Sequence, residues 1–196
     1  MKLLAFLIIF LIVFSDNSIA QVSVKNEIEK QIDAELFPQN ALAVIQSQLS
    51  NAKRIKYYIE VNNADTSYEV KFKKNKSLYS VEFSREGLFE DVEMLIAHKE
   101  FSNEIKSNIH KYLNDNFIKH KIKKIQVQYK HPSITLEQLN SLFNEDTQNF
   151  NISYEIEIAV KHEDGSPAMY EFHFDSLGQY IDKRIFKQQG DDNILY

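Results

Sequence analysis

Apolar and polar residues alternate with a period of two along several stretches of the chain. In RIKYYIEV, Ile55, Tyr57 and Ile59 alternate with more polar residues. The same period runs through SYEVKF, YSVEFS, KKIQVQY, SYEIEI and YEFHFD. A period of two places successive side chains on opposite faces of a strand. The pattern therefore predicts half-buried β-strands with one apolar face and one polar face.

SYEVKF and YSVEFS are predicted to form an antiparallel hairpin. Asn75 and Lys76 lie midway between them, where a two-residue turn needs residues that tolerate positive φ. Pairing about this centre sets Val70 opposite Val81, so apolar residues meet on one face.

A second hairpin is predicted around a turn at residues 164–167. This centre sets Ile158 opposite Phe172 and makes Glu157 the neighbour of His173 on the polar face. A sheet with one wet face and one helix-covered face is typical of an α+β layer.

A spacing of four, typical of one helix face, precedes these strands. NEIEKQIDAEL, from Asn26, places Ile28, Ile32 and Leu36 at this spacing, and NEIKSNIHKYL, from Asn103, does the same with Ile105, Ile109 and Leu113. Both are predicted to be amphipathic helices. QNALAVIQSQL, after Phe37-Pro38, and a short segment ending at Phe143 and capped by Ser133 or Thr135 are further predicted helices.

The elements recur in one order, which predicts a duplicated unit. YSVEFSREGLFEDVE and YEFHFDSLGQYIDKR are the clearest pair. The predicted fold class is α+β: two repeats of an N-terminal helix or helix pair followed by a four-stranded antiparallel β-meander, with helices on one face of each sheet. The first repeat is predicted at residues 21–100 and the second at residues 101–187, with an insertion at 131–150. A C-terminal tail follows at residues 188–196. One continuous sheet and two separate lobes both fit this pattern.

Residues 1–20 have the succession of a charged residue, an apolar run and small residues that is typical of a secretory signal peptide. Lys2 is followed by an apolar run from Leu3 to Phe14, and Ser18 and Ala20 are small residues before a cleavage site. The run is shorter than the roughly 20 residues that span a bilayer, so cleavage is favoured over an uncleaved anchor. We expect a periplasmic or secreted protein with no membrane span after removal of the signal.

Composition narrows the function classes. The chain has no cysteine, which excludes disulfides and a lipoprotein anchor. Its net charge is −5 without a basic cluster, which argues against nucleic acid as a partner.

The quoted strands, the Phe37-Pro38 pair and the Gly-containing turn at Gly87 resemble the PepSY-like, β-lactamase-inhibitor-like family of exported bacterial proteins. The first half, residues 27–93, fits best; the second, residues 104–184, has Asn114-Asp115 in place of Phe-Pro and carries the insertion. The resemblance implies a helix packed on a four-stranded antiparallel sheet in each half, export, and a binding or inhibitory role. It implies no catalytic residues.

Motifs for catalysis and cofactors are absent from the sequence. It has no GxSxG, no SxxK, and only four glycines, too few for a phosphate-binding loop. The six histidines are His98, His110, His120, His131, His162 and His173. None has a metal-binding spacing, so surface histidines without a metal are expected. The chain is predicted not to be an enzyme and to need no cofactor.

The polar sheet face is the candidate binding surface. The alternation places a tyrosine among charged residues there, a composition that suits a protein interface. The predicted binding residues are Lys56, Tyr58, Glu69, Lys71, Glu82, Glu157 and His173. The expected function is non-catalytic binding of an envelope protein or peptide, including inhibition of an envelope hydrolase. The alternatives are an envelope carrier or sensor of a small molecule or metal ion, and an ordinary solvated face.

Overall fold

A computed structural model of the chain describes residues 23–25, 27–62 and 65–186. The predicted signal peptide and the tail at 188–196 lie outside these residues. No helix in the described part of the chain has the length and apolarity needed to cross a membrane.

Ten strands form one sheet. They are β1 (Ser23–Lys25), β2 (Glu27–Ile32), β3 (Lys53–Asn62), β4 (Asp65–Lys74), β5 (Ser77–Ser84), β6 (Phe89–Leu95), β7 (Lys119–Lys130), β8 (Asn151–Lys161), β9 (Pro167–Asp175) and β10 (Tyr180–Phe186). From β2 to β10 each strand pairs antiparallel with the next in the chain, and β1 adds in parallel beside β10. The antiparallel strands that the alternation predicts are therefore confirmed.

The predicted fold class is wrong. One antiparallel sheet of nine strands, joined by β1, dominates the molecule, in place of two repeats of helix plus four-stranded meander. The sheet continues through the middle of the chain because β6 pairs with β7, with Met94 opposite Val127. Of the two arrangements left open by the sequence, the structure has the single continuous sheet.

The helix predicted from Asn26 is also wrong. Residues 27–32 form β2, and a 3-10 turn at Ala34–Leu36 follows. Ile28 and Ile32 lie opposite Val61 and Tyr57 of β3. A spacing of four is an even number, so it satisfies a strand face as well as a helix face, and pairing with β3 decides between them.

Three α-helices accompany the sheet: α1 (Gln39–Leu49), α2 (Asn103–Asn116) and α3 (Leu136–Leu142). All three were predicted. Ser102 caps α2 by accepting a hydrogen bond from the Ile105 N–H, and Thr135 caps α3 in a capping box with Gln138.

The helices cover the apolar face of the sheet over two clusters of buried residues. The cluster of β4–β6 packs against Ala41 and Ile45 of α1 and against Leu139 of α3. The cluster of β7–β9 packs against Ile109 and Leu113 of α2. Burying a Val, Leu, Ile or Phe side chain contributes about 1.5–3 kcal/mol, so this face provides the main stabilisation of the fold.

A close contact of backbone with α2 holds that helix over its cluster. Gly178 has φ +77° in the turn before β10, and a Cβ there would lie 2.8 Å from the Ile105 carbonyl oxygen. Asn108 Nδ2 donates to the Leu177 carbonyl in the same turn at 2.8 Å. Glycine is needed here both for the positive φ and for the space.

The predicted register holds in one hairpin and fails in the other. Val70 lies opposite Val81, and Asn75 and Lys76 both have positive φ. In the second hairpin, however, Phe172 lies opposite Ile156 and not Ile158. Its turn is centred one residue earlier than predicted, which slides the register by two positions and so leaves every side chain on its expected face.

Candidate functional site

The predicted binding residues all lie on the sheet face opposite the helices. Five belong to β3–β5: Lys56, Tyr58, Glu69, Lys71 and Glu82. Cross-strand pairs align them, Lys56 with Lys71 and Tyr58 with Glu69 and Glu82. The other two, Glu157 of β8 and His173 of β9, lie further along the same face. The structure thus places the predicted residues in two separate groups on one surface.

Several of these side chains are buried, contrary to the expectation of a solvated face. Tyr58 is only 4% exposed, and the Lys71 Nζ lies 4.9 Å from the centre of its ring. Glu69, which was predicted on the same polar face, is buried as well. Long side chains of neighbouring strands cover one another on a crowded sheet face, which alternation alone does not show. Tyr58 is therefore not the exposed aromatic residue that the sequence predicted.

Lys71 neutralises the carboxylates at the β2–β4 end of this face. Its Nζ lies 2.9 Å from Glu29 Oε1 and 2.9 Å from Glu69 Oε2. The Ser80 hydroxyl donates to the other oxygen of Glu69. The Lys71 ammonium thus compensates the charge of this buried carboxylate within the fold.

Three carboxylates meet at the centre of the face, where Lys130, which lies 3.9 Å from one of them, has a largely exposed side chain. Glu82 of β5 and Asp91 and Glu93 of β6, here called the central acidic cluster, each present an oxygen within 4.8 Å of the others. Asp91 and Glu93 are buried, and Glu82 is partly exposed. Burying like charges this close together is unfavourable unless a proton or a cation compensates them.

One buried carboxylate oxygen of the cluster has no hydrogen-bond donor among the described residues. Gln128 Nε2 donates to Asp91 Oδ2 at 2.9 Å, and Gln126 donates to Glu93. Lys130 Nζ is 3.9 Å from Asp91 Oδ2, but its side chain is 54% exposed. Asp91 Oδ1 is buried and accepts no hydrogen bond from any residue that the structure describes. A buried acceptor without a donor costs roughly 1–3 kcal/mol, so this atom is a candidate ligand atom for a cation.

The electrostatics agree with the geometry. Burial raises the pKa of the Asp91 carboxyl to about 7; Lys130 opposes this rise, and the charge of Glu155 adds to it. Burial, and next the charge of Asp91, raises the pKa of Glu82 well above its usual range. For Glu93 the causes are burial and then Glu155. Without a cation, part of the cluster holds protons near neutral pH.

A second group of acids on this face has its own cation. Glu155, Glu171, His173 and Arg184, here called the arginine network, lie on β8, β9 and β10. Arg184 donates to Glu171, and His173 Nε2 lies 2.9 Å from Glu155 Oε1. His173 Nδ1 contacts Asp182 Oδ1 at 2.9 Å.

The partner of His173 corrects a further prediction. Glu157 was expected beside it, but the observed register places Glu155 there. Glu157 instead lies 3.5 Å from Lys124 Nζ. Burial lowers the pKa of His173, and the hydrogen bond and charge of Glu155 raise it by more, so the net shift is upward.

An open depression adjoins the central acidic cluster. Its volume is about 550 Å³, and Glu82 lines it together with residues of the β3–β4 and β5–β6 ends. The acidic residues of its lining are Glu60, Asp65, Glu82, Glu86 and Glu90, beside Arg85. The depression gives a solute direct access to Glu82 and favours positive charge.

Asp91 and Glu93 were missed by the sequence analysis. The signal was present in FEDVEML, where both acids alternate with Val92. Acidic residues on a strand are ordinarily solvated, so the pattern alone does not indicate that they are buried together.

Comparison with known protein families finds no family that matches the chain, and comparison with curated proteins finds no match either. The resemblance to the PepSY-like family therefore stays a prediction.

Proposed function

We propose that this protein is an exported, non-catalytic binding protein that binds a hard divalent cation, such as Ca²⁺ or Mg²⁺, at the central acidic cluster. This is the carrier or sensor function that the sequence analysis held as its alternative. Export rests on the predicted signal peptide at residues 1–20.

One observation carries the proposal: Asp91 Oδ1, buried without a donor among the described residues, belongs to a cluster of three carboxylates whose oxygens lie within 4.8 Å. Carboxylate oxygens are the preferred ligands of Ca²⁺ and Mg²⁺. Three carboxylates supply part of a coordination shell, and water entering from the depression completes it. The amide groups of Gln126 and Gln128 orient Glu93 and Asp91 as partners outside the shell do in metal sites.

Calcium binding to metal-stripped protein tests the proposal. We expect CaCl₂ or MgCl₂ to give saturable heat in titration calorimetry and to raise the melting temperature, since a ligand at 100 times its Kd stabilises by about 2.7 kcal/mol. The variant Asp91→Asn with Glu93→Gln should bind about tenfold more weakly or worse, because even partners outside the shell change affinity by about 10- to 100-fold.

Glu157→Gln is the matched control. This carboxylate lies on the same face, outside the cluster, beside Lys124. It should leave calcium affinity unchanged. No binding by wild-type protein at millimolar calcium and magnesium, or equal binding by the double variant, would contradict the proposal.

A protein or peptide partner is the second candidate. The acidic lining of the depression favours a segment rich in lysine or arginine, whose side chains would supply the cation. Tyr58, whose predicted exposure suggested a protein interface, is buried. The case for a protein or peptide partner therefore depends on charge. Binding of an oligolysine peptide that calcium does not displace would favour it over the metal site.

A further inference from the structure

Three histidines meet beside the middle of α2, away from the carboxylate face. His98 Nε2 lies 3.1 Å from His110 Nε2, and His110 Nδ1 lies 3.3 Å from His120 Nε2. His98 is exposed, and the other two are half-buried. The sequence predicted surface histidines without a metal and gave no indication of these contacts.

Three different elements bring the rings together. His98 begins a 3-10 turn at His98–Glu100, which Glu100 holds by accepting a hydrogen bond from the Ala97 N–H. His110 adjoins Ile109, which anchors α2 on the sheet. His120 is on β7, two residues before Ile122 and on the same strand face, which α2 covers. The positions are 12 and 10 residues apart, so no spacing motif announces them.

The distance between His98 and His110 suits a shared metal ion. A tetrahedral Zn²⁺ with bonds of about 2.0–2.1 Å sets its ligand nitrogens about 3.3–3.4 Å apart. The facing Nε2 atoms of His98 and His110 are within a few tenths of an ångström of that edge. His120 faces the other nitrogen of His110, so the His120 side chain must turn to join the same ion, and otherwise water fills its place.

Charge also favours the site. Burial, and next the neighbouring His110, lowers the pKa of both His98 and His120. Both shifts favour the neutral imidazole, which is the form that binds metals.

We propose that His98 and His110, joined by His120 once its side chain turns, form a surface site for a borderline transition-metal ion such as Zn²⁺, Ni²⁺ or Cu²⁺. Imidazole ligands select these ions, whereas carboxylates select Ca²⁺ and Mg²⁺. The site is separate from the central acidic cluster and does not rest on the function proposed above.

Titration of metal-stripped protein with ZnCl₂ and NiCl₂ tests this assignment. Wild-type protein should bind one Zn²⁺ per chain at these histidines with micromolar or tighter affinity. His110→Ala should abolish this binding, and His98→Gln should weaken it about tenfold or more. His98 is exposed, so its substitution leaves folding nearly unchanged and keeps the test valid if the His110 variant is unstable.

Two controls separate this site from others. His131→Gln removes a histidine that contacts Gln138 elsewhere in the fold and should leave Zn²⁺ affinity unchanged. Asp91→Asn with Glu93→Gln removes the carboxylate cluster and should also leave it unchanged. Absence of Zn²⁺ binding in wild-type protein, or unaltered binding in both His98→Gln and His110→Ala, would overturn the assignment and leave three hydrogen-bonded histidines.

Discussion

The central acidic cluster and the arginine network lie side by side on one sheet face, and they differ in how the charge of their buried carboxylates is compensated. Gln128 joins them, because its Nε2 donates to Asp91 Oδ2 at 2.9 Å and to Glu155 Oε1 at 3.0 Å. In the arginine network, the chain supplies Arg184 and His173 to the buried acids. In the central acidic cluster, the largely exposed Lys130 lies 3.9 Å from Asp91.

The difference teaches which group is structural and which is open to a ligand. A buried carboxylate held by an arginine has its charge compensated from within and stabilises the sheet locally. Carboxylates that lack such a partner must take up a proton or bind an external cation. The same kind of residue, at neighbouring positions on one face, thus serves two purposes according to its cross-strand neighbours.

Loss of Arg184 should have the largest effect. Arg184→Met leaves the buried Glu171 without its guanidinium, and breaking a buried pair costs about 3–5 kcal/mol. Because the Arg184 side chain is 26% exposed, we expect a loss of about 2–4 kcal/mol in urea unfolding. Adding Glu171→Gln should recover part of the loss; a single variant as stable as wild type would mean that the network is not structural.

The central acidic cluster should make metal-free protein more stable at lower pH. The folded pKa of Asp91 is raised to about 7, so its proton is bound on folding and the unfavourable charge disappears as pH falls. Between about pH 8 and pH 5 the gain should be about 2–3 kcal/mol, since one pKa unit corresponds to about 1.36 kcal/mol. Urea unfolding at both pH values measures it, and saturating calcium should reduce the slope. Equal stability at the two pH values would show that the cluster is solvated.

Removing one charge from the central acidic cluster should have a smaller, stabilising effect. We expect Asp91→Asn to stabilise metal-free protein by about 1 kcal/mol at pH 8, because replacing a buried charge by a neutral group of similar volume is often favourable. The same variant should lose stabilisation by calcium. Thermal melting with and without CaCl₂ checks both effects, and a destabilised variant would indicate that Asp91 is compensated within the fold.

His173 should give the smallest change. Its folded pKa is raised, so its contribution is present below the unfolded pKa of about 6.5 and is lost as pH rises through the folded value. His173→Gln should therefore cost up to about 1 kcal/mol near pH 5.5 and less near pH 9. NMR titration of the imidazole measures its pKa directly; a value below about 6.5 would contradict the assigned contact with Glu155.

Much of the local structure was predictable from short-range patterns. The tolerance of Asn75 and Lys76 for positive φ fixed the first hairpin, and Thr135 with Gln138 marked the start of α3. The polar face was identified correctly because strand alternation survives even a two-residue register shift. These features depend only on residues that are close together in the chain, so the sequence predicts them.

The candidate sites depended on longer-range pairing. Asp91 and Glu93 looked like solvated acids until the pairing of β5, β6 and β7 surrounded them with Glu82, Gln126 and Gln128. The three histidines met only because α2 packs over the sheet beside β7.

By itself, the amino-acid sequence determined which segments alternate, where most helices begin, and which side chains share the polar face, because backbone sterics and hydrophobic periodicity act over a few residues. The tertiary structure decided that residues 27–32 form a strand, that β6 joins β7 in one sheet, and that acidic side chains are buried together. Those outcomes depend on which strands become neighbours. The free energy of a strand pairing and the pKa of a buried carboxylate are properties of residues far apart in the chain.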